Sequence, residues 1–345
     1  MKVLVTGGCG YIGVWLVRKL REAGHEVRVI DKCLFPTGLS AVQEWAPGAE
    51  VLRADIRALP DGAFKDVDAV CHLAGLSNDP TADFAPDANY AMNTEATLAI
   101  GEAAKAAGVR RVTFASSASV YGYAHRIGLT EDAALEPASH YAESKALAED
   151  ALLALADATF EPIIMRQGTV GGWSPRMRWD LVVNTMVKCA LTRGEIRVFA
   201  GGEAYRPLID VEDVAEAHLR FIESDCASGI YNVAKRRSVC GNAEPLAEGY
   251  TVGCLALYVA HLLEGEGLTV RVRGDWTRSE GRSYDLDCTK MRAALEWEPT
   301  RGVAAMVSGV LQHAENLDDP QTRNIDWMKA LDYGQQIAEE FGQVF

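Results

Sequence analysis

The sequence predicts an α/β protein with a Rossmann-type, doubly wound parallel sheet and a smaller C-terminal substrate-binding lobe. Short apolar runs alternate with longer helical stretches through the first half of the chain, and this order indicates parallel strands joined by crossover helices. A glycine-rich turn at residues 6–13 directly follows the first strand and opens the first helix. The pattern becomes irregular after Gly171, where the smaller lobe is expected to begin.

The individual elements follow from hydrophobic periodicity. Strands are expected at residues 3–5, 27–30, 50–52, 69–72, 112–115 and 162–165, and helices at residues 13–23, 93–107 and 141–155. Helices at 181–191 and 251–263 are assigned to the lobe, and a strand at 207–211 with a helix at 214–223 returns to the sheet. The sheet domain is therefore predicted over residues 1–171, with 205–234 returning to it, and the lobe over 172–204 and 235–345.

Composition and charge exclude several classes of protein. The chain has 345 residues, of which 48% are hydrophobic and 24% charged, which is typical of a globular protein. Its formal net charge of -14 argues against a nucleic-acid partner, because no basic field exists to neutralise phosphates. No apolar run approaches the roughly 20 residues that span a bilayer, so no membrane contact is predicted. The first residues enter a strand pattern rather than a signal peptide, so the expected compartment is the cytoplasm.

The eight cysteines are spread along the chain without a C-x-x-C pair or a neighbouring His cluster. Such spacing is typical of reduced, mostly buried thiols rather than of a disulfide framework or a zinc site. No metal is therefore predicted.

The glycine-rich turn predicts a dinucleotide site, which makes the sheet domain the cofactor-binding domain. Gly7, Gly10 and Gly13 permit a tight turn, close approach of the backbone to a pyrophosphate, and tight packing of helix on strand. The helix that starts here presents backbone N–H groups and the positive end of its dipole to phosphate oxygens. Tyr11 and Ile12, in the same turn, are expected to line this site.

The residues after the second and third strands indicate which dinucleotide binds. Asp31 ends the second strand, at the position where a carboxylate binds the adenosine ribose hydroxyls. Its charge would repel a 2′-phosphate, which favours NAD over NADP, although Lys32 beside it weakens this preference. Asp55 and Ile56 follow the third strand and are expected to flank the adenine, with an ordinary turn acid as the alternative for Asp55.

A tyrosine and a lysine four residues apart suggest acid–base chemistry. Tyr141 and Lys145 begin a helix, and residues at i and i+4 share one face. A phenol ionises near pH 10, but a neighbouring ammonium and a positively charged nicotinamide would both lower its pKa. The serine-rich stretch at 116–122 would place hydroxyls beside the nicotinamide. A surface pair and a plain serine-rich loop are the alternatives.

Together these motifs resemble the extended short-chain dehydrogenase/reductase family, the NAD-dependent nucleotide-sugar epimerases and dehydratases. Residues 6–13 match the family's T-G-x-x-G-x-x-G, and residues 72–75 match its H-L-A-A-like turn against the cofactor. Asn93 matches an asparagine that opens a helix behind the active site. Residues 205–213 resemble its R-x-x-I-H-V-x-D segment, with Asp210 in place of the usual His. The resemblance covers most of the chain.

The resemblance implies a role for each matched residue. Ser117, Tyr141 and Lys145 fall on the family's Ser/Thr, Tyr, Lys triad, in which the tyrosine takes a proton from a sugar hydroxyl while a hydride passes to NAD. By the same resemblance the lysine lowers the tyrosine pKa and binds the nicotinamide ribose. The cofactor is further implied to contact Leu73, Ala74, Gly75 and Asn93. The nucleotide-sugar substrate is implied to contact Ser77, Ser119, Thr169, Arg178, Asn184, Arg206 and Arg282.

Two of these assignments have a clear chemical basis. Arg206 and Arg282 would bind the nucleotide diphosphate, because a guanidinium can form paired hydrogen bonds with phosphate oxygens. A surface arginine is the alternative for either one alone. Ser77 precedes Asn78, Asp79 and a proline, a sequence that also forms ordinary capped turns.

The residues after Ser117 bear on the reaction type. Dehydratases and decarboxylases of the family carry acids at one or both positions that match Ala118 and Ser119, and several 3,5-epimerases carry a cysteine at the second. Neither alanine nor an unactivated hydroxyl performs that proton chemistry. The leading hypothesis is therefore a 4-epimerase that removes and returns one hydride. The alternatives are a dehydratase, a one-way reductase or dehydrogenase, and a cofactor-binding scaffold without turnover.

Other residues depart from the family pattern. Residues 166–172 resemble its R-x-x-N-V-Y-G segment, but Thr169 replaces the asparagine and Gly171 the tyrosine. Loss of the aromatic ring is expected to open space near the substrate, part of which Trp173 could fill. The alanine-rich helices at 93–107 and 141–155 match helices that pair across a dimer axis in relatives, so a homodimer is predicted.

Overall fold

The computed structural model describes residues 1–123, 126–236, 249–274, 276, 283–314 and 317. Seven parallel strands form the central sheet, in the order β11-β6-β5-β4-β1-β2-β3. The sheet strands in chain order are β1 (Lys2–Thr6), β2 (Glu26–Asp31), β3 (Glu50–Arg53), β4 (Ala69–His72), β5 (Arg111–Ser117), β6 (Glu161–Gln167) and β11 (Gly229–Val233). This confirms the predicted Rossmann-type α/β fold.

Helices cover the sheet because its strands are apolar on both faces. On β1, Val3 and Val5 join one buried cluster together with Leu16 of the first helix, whereas Leu4 joins a second cluster with Ile100. The helices of the sheet domain are α1 (Gly13–Glu22), α2 (Pro36–Trp45), α3 (Asp79–Phe84), α4 (Pro86–Tyr90), α5 (Ala96–Ala106) and α6 (His140–Ala154). A π-helical turn, Ala91–Glu95, leads directly into α5.

After β6 the chain leaves the sheet and returns to it at β11. The strand predicted at 207–211 does not join the central sheet, because Leu208–Asp210 pairs with Thr169–Gly171 instead. Three two-stranded sheets pair β7 (Thr169–Gly171) with β10 (Leu208–Asp210), β8 (Glu195–Val198) with β13 (Arg271–Gly274), and β9 (Tyr205–Arg206) with β12 (Tyr250–Thr251). The other helices among the described residues are α7 (Val182–Arg193), α8 (Val211–Glu223), α9 (Val252–Gly265), α10 (Thr289–Leu295) and α11 (Val303–Gln312). Helix α8 packs against α1, and α7, α9 and α11 pack together.

The described helices are ordinary elements of a globular protein. None among the described residues combines the length and the apolar composition needed to cross a lipid bilayer. Each strand expected in the first half of the sequence is present within two residues at either end. Helix α2 and the short helices α3 and α4 were not expected from the sequence.

Candidate active site

A tight turn connects β1 to α1 and leaves its backbone bare. Gly7 has a φ of +74°, and a β-carbon there would lie 2.7 Å from the backbone nitrogen of Ala74. A β-carbon at Gly13 would clash with the carbonyl oxygen of Gly7. The N-cap residue of α1 is Ile12, whose apolar side chain makes no capping hydrogen bond. The three glycines line a cavity at the N-terminus of α1, where a pyrophosphate could approach the backbone closely.

One cavity extends from this turn along the carboxyl ends of β1, β2, β3 and β4. Its lining includes most of the residues predicted to bind the cofactor, together with two predicted substrate residues. The predicted residues that line it are Gly7, Gly10, Tyr11, Ile12, Gly13, Asp31, Lys32, Ile56, Leu73, Ala74, Gly75, Ser77 and Arg178. The turn, the acid at the end of β2 and the loop after β4 are thus brought together, as the cofactor hypothesis requires.

Asp31 and Lys32 have different surroundings despite being adjacent. The Asp31 carboxylate accepts hydrogen bonds from the backbone N–H groups of Cys9 (3.0 Å) and Cys33 (2.7 Å). Burial raises the pKa of Asp31, and these two hydrogen bonds oppose that shift. Lys32 instead forms an ion pair with Asp55, 2.9 Å from Nζ to Oδ2. Its charge is thus matched by an acid, which weakens its ability to attract a 2′-phosphate.

Asp55 forms ion pairs with two cationic side chains. It pairs with Arg57 at 2.5 Å as well as with Lys32, and these partners hold its pKa well below the usual value against the effect of burial. Its neighbour Ile56 lies in the cavity wall. Asp55 thus contacts cations of the chain, while Ile56 offers an apolar surface.

Asn93 fixes the loop that follows β4. Its side-chain amide accepts from the N–H of Leu76 (2.9 Å) and donates to the carbonyl of the same residue (3.0 Å). A β-carbon at Gly75 would collide with the Asn93 amide oxygen, so this approach requires glycine. The Asn93 amide also donates to Ser144 of α6 at 3.2 Å. Asn93 therefore positions the cavity wall from behind it.

The three predicted catalytic residues converge at the end of β5. Ser117 is the last residue of β5, and its hydroxyl is close enough to the Tyr141 phenol to lower the pKa of that phenol. Helix α6 begins one residue before Tyr141 and is capped by the Ser139 hydroxyl, which accepts from the N–H of Ala142. Lys145 lies one turn further along α6, and its amine donates to the carbonyl of Ala115 at 3.0 Å. A helix and a neighbouring strand end thus hold all three groups.

The electrostatics of the tyrosine and the lysine oppose their charged forms. Burial raises the pKa of Tyr141 to about 12, while the hydrogen bond from Ser117 and the positive charge of Arg178 act in the other direction. Burial lowers the pKa of Lys145 to about 8, against the attraction of Glu149. A bound cation near the phenol would move its pKa downward. The site therefore holds a tyrosine that needs an additional positive charge to become a base at neutral pH.

Ser119 is hydrogen-bonded to Ser117. Its hydroxyl donates to the Ser117 Oγ at 2.9 Å, and its N–H donates to the same oxygen at 3.2 Å. Ala118 between them is buried. Neither residue offers a carboxylate or a thiol, so this loop carries no acid or base of the kind that elimination needs.

The predicted substrate residues lie in different environments. Arg178 lines the cavity and forms two hydrogen bonds with the Asp180 carboxylate, at 2.6 and 3.1 Å. Asn184 is buried, accepts from the N–H of Gly172 and donates to the carbonyl of Arg178. It therefore fixes the loop that carries Arg178.

Three further predicted substrate residues lie beyond the cavity lining or outside the described residues. Thr169 begins β7, and its N–H donates to the carbonyl of Pro207. The guanidinium of Arg206 lies 5.3 Å from the ring centre of Tyr284. The Tyr284 side chain in turn acts electrostatically on Tyr141. Arg282 lies outside the described residues.

The space around Gly171 is filled, contrary to expectation. A β-carbon at Gly171 would lie 3.0 Å from the sulfur of Met306 in α11 and 3.5 Å from Val183 in α7. These side chains take up the volume, so loss of the family's tyrosine does not open the site. Trp173 lies elsewhere, in an aromatic cluster that comprises Trp15, Trp45, Trp173 and His313.

Sequence reasoning missed Asp180, which pairs with Asn78 in the loop after β4. The Asn78 amide donates to Asp180 at 2.7 Å, and its oxygen caps α3 by accepting from the N–H of Thr81. Asn78 adopts a φ of +84°, which is uncommon for a residue with a side chain. The capped-turn alternative is thus correct for Asn78. The Asn–Asp–Pro signal was visible in the sequence, but the partner Asp180 was not.

Comparison with known proteins places this site in a family. The UDP-glucose 4-epimerase of Lactobacillus helveticus is 27% identical, over 96% of this chain and 98% of that protein. The human UDP-glucose 4-epimerase is 32% identical, over 67% of this chain and 76% of that protein. A solved UDP-galactose 4-epimerase has a TM-score of 0.72 and 27% identity, over 92% of this chain and 100% of that one. Residues 3–234 match the family itself, and this chain belongs to the NAD dependent epimerase/dehydratase family.

Proposed function

We propose that this protein is an NAD-dependent nucleotide-sugar epimerase that acts at sugar C4 through a transient 4-keto intermediate. The observation that carries the proposal is the convergence of Ser117, Tyr141 and Lys145 at the end of β5, next to Ala118 and Ser119, which carry neither acid nor base. Such a site supports removal and return of one hydride and provides nothing for elimination. The epimerase relatives favour the same reaction.

The cofactor site fits NAD. Bound NAD⁺ supplies a hydride acceptor and a positive charge. The bare turn at Gly7 and Gly13 would hold the pyrophosphate, and the Asp31 carboxylate would accept hydrogen bonds from the adenosine ribose hydroxyls. The Lys145 amine lies beside Gly75, 3.7 Å from the position of a β-carbon there, and would reach the nicotinamide ribose. Residues 1–171 and 205–234 would form the cofactor-binding domain.

The side chains divide the chemistry among them. Tyr141 would take the proton of the sugar C4 hydroxyl as the hydride leaves C4. After the 4-keto sugar has turned its other face toward the cofactor, the Tyr141 hydroxyl would return the proton to the C4 oxygen as the hydride comes back. Ser117 would donate a hydrogen bond to the reacting oxygen, while Ser119 holds Ser117 in place. The cationic Arg178 would favour the phenolate from the side of the substrate.

The substrate lobe would be built from residues 172–204 and 235–345. Ser77 and Arg178 line the cavity, Arg178 acts electrostatically on Tyr141, and both would contact the sugar and the phosphates. Arg206 stands over Tyr284 and would reach the diphosphate. We also propose a cytoplasmic homodimer in which the face formed by α5 and α6 pairs with its copy.

The test is a product analysis in D₂O. UDP-glucose, UDP-N-acetylglucosamine and UDP-glucuronic acid are each incubated with the enzyme, and products are followed by proton NMR. A 4-epimerase inverts C4 without incorporating deuterium, because the hydride is returned directly. Water loss with deuterium at C5 or C6 would instead identify a dehydratase. Oxidation of these sugars only with stoichiometric added NAD⁺ would identify a one-way dehydrogenase, and NAD(P)H consumption only when a nucleotide-linked keto sugar is supplied would identify a one-way reductase.

A further inference from the structure

Two cysteines that are 24 residues apart in the sequence meet beside Asp31. Cys9 lies in the glycine-rich turn, Cys33 lies just after β2, and both are buried. Their sulfur atoms are 3.9 Å apart, and the two sulfurs and a carboxylate oxygen of Asp31 all lie within 4.8 Å of one another. Cys9 and Asp31 line the cofactor cavity. A compact group of two thiols and one carboxylate thus borders the cavity.

The separation of the sulfurs indicates what this group could hold. Two thiolates bound to one zinc ion at about 2.3 Å, with a tetrahedral angle between them, lie about 3.8 Å apart. The observed distance of 3.9 Å matches this value without movement of the chain. A disulfide would require the sulfurs to approach to about 2.0 Å. The geometry therefore fits a shared metal ion better than a disulfide bond.

The backbone holds the three side chains in this arrangement. The Asp31 carboxylate accepts the N–H of Cys9 at one oxygen and the N–H of Cys33 at the other, and each oxygen keeps a second lone pair. A β-carbon at Gly38 would clash with the carbonyl oxygen of Cys9, so the turn is confined from the other side as well. These groups are therefore already in place before any ion arrives.

The charge of the group favours a divalent cation. Thiols release their protons when they bind a metal, so the bound group would carry three negative charges. Arg53 and Arg176 are the cations that act on Cys33 and Asp31. Their two positive charges leave a net negative site. Thiolate ligands select thiophilic metals such as Zn²⁺ over hard cations such as Mg²⁺.

We propose that Cys9, Cys33 and Asp31 form a binding site for a thiophilic divalent cation of the Zn²⁺ class, whose fourth position opens toward the cavity. We further propose that the cation and NAD exclude each other, because both would need the Asp31 carboxylate. This second part rests on the proposed contact between Asp31 and the adenosine ribose. The site would make the cofactor-free enzyme sensitive to such metals.

The first experiment titrates the reduced, cofactor-free full chain with Cd²⁺, a spectroscopic substitute for Zn²⁺. One Cd²⁺ per chain should bind, with ultraviolet thiolate-to-metal charge-transfer absorption. Cys9→Ser and Cys33→Ser should each weaken binding at least tenfold. Cys189→Ser and Cys254→Ser, which change cysteines outside the cluster, should retain it. Circular dichroism confirms that each variant is folded. Absence of the band, or its survival in both cluster variants, would overturn the site.

The second experiment tests the competition. Saturating Zn²⁺ should raise the apparent dissociation constant for NAD at least tenfold, and this effect should disappear in Cys33→Ser. Equal NAD affinity with and without the metal would overturn mutual exclusion. Neither readout requires catalytic turnover, so a failure of the epimerase proposal would leave both results interpretable.

Discussion

The guanidinium of Arg166 forms an ion pair with the carboxylate of Glu149 at 2.7 Å, next to the serine-rich stretch at 116–122. Both side chains are almost fully buried. Arg166 also donates to the Tyr121 hydroxyl at 2.9 Å, and the Ser116 hydroxyl donates to Glu149. This network joins the end of β5 to β6 and α6. Ser116 before Ser117 and Tyr121 after it are therefore both hydrogen-bonded to buried charged groups.

The first prediction concerns this pair. Arg166→Met should lower the free energy of unfolding by about 3–5 kcal/mol, because the buried Glu149 carboxylate loses the positive charge that it pairs with. Urea denaturation measures the change. Arg166→Met combined with Glu149→Leu should recover most of the loss, and Arg110→Met on the surface should have a far smaller effect. A single variant as stable as the wild type would contradict the interpretation.

The second prediction concerns the proposed base. Tyr141→Phe should reduce kcat about 10²–10⁴-fold, because proton transfer from the sugar hydroxyl is lost. Bound NAD(H), measured after denaturation, should be retained. Tyr258→Phe in α9 serves as the control and should leave both quantities unchanged. Full activity of Tyr141→Phe would remove the phenol from the mechanism.

A third prediction follows from the burial of Lys145, whose pKa falls from 10.5 to about 8. Between those values the unfolded chain holds a proton that the folded protein has released, so stability should rise with pH across this window. Below pH 8 both states are protonated and the effect of burial is constant. In cofactor-free protein, the stability of wild type relative to Lys145→Met should increase from pH 8 to pH 10.5. A difference that is independent of pH would contradict this prediction.

Gly171 provides the fourth prediction. Restoring the family's residue by Gly171→Tyr should destabilise the protein by about 1–3 kcal/mol, because Met306 and Val183 already fill the space. Gly171→Tyr with Met306→Ala should regain part of the loss. Thermal unfolding measures both variants. If the tyrosine were accommodated without cost, the site would be more open than the packing indicates.

The fifth prediction concerns cofactor choice. Asp31→Asn should weaken NAD binding about tenfold or more, since a hydrogen bond to a charged group is lost. NADP should be affected less, because its 2′-phosphate no longer meets a negative charge. Isothermal titration with each cofactor measures the ratio, and Glu44→Gln on the exposed surface of α2 is the control. An unchanged ratio would place the adenosine ribose away from Asp31.

The sequence predicted the sheet and the shared helix face of Tyr141 and Lys145 because both depend on local patterns. The strands at 69–72 and 112–115 are short apolar runs, and Tyr141 and Lys145 share a helix face through spacing alone. The glycine-rich turn is likewise recognisable from eight consecutive residues, 6–13. Such features need no knowledge of distant contacts.

What escaped prediction depends on residues that are remote in the chain. Gly171 looked like an opening because Met306, which fills its space, follows 135 residues later. Cys9 and Cys33 looked scattered because only the pairing of β1 with β2 brings their loops together. From the sequence, the charge of Lys32 weakened the preference for NAD. Its partner Asp55 follows a different strand, so this ion pair could not be predicted.

The aromatic cluster of Trp15, Trp45, Trp173 and His313 has an optical consequence. Its members come from α1, α2, the loop after β7 and the end of α11, and the Trp173 ring stacks on His313 at 3.7 Å. The emission of an indole depends on the groups that touch it, and an imidazole is a known quencher. Intrinsic fluorescence should therefore report, without any label, whether α11 stays docked on the sheet domain when substrate binds.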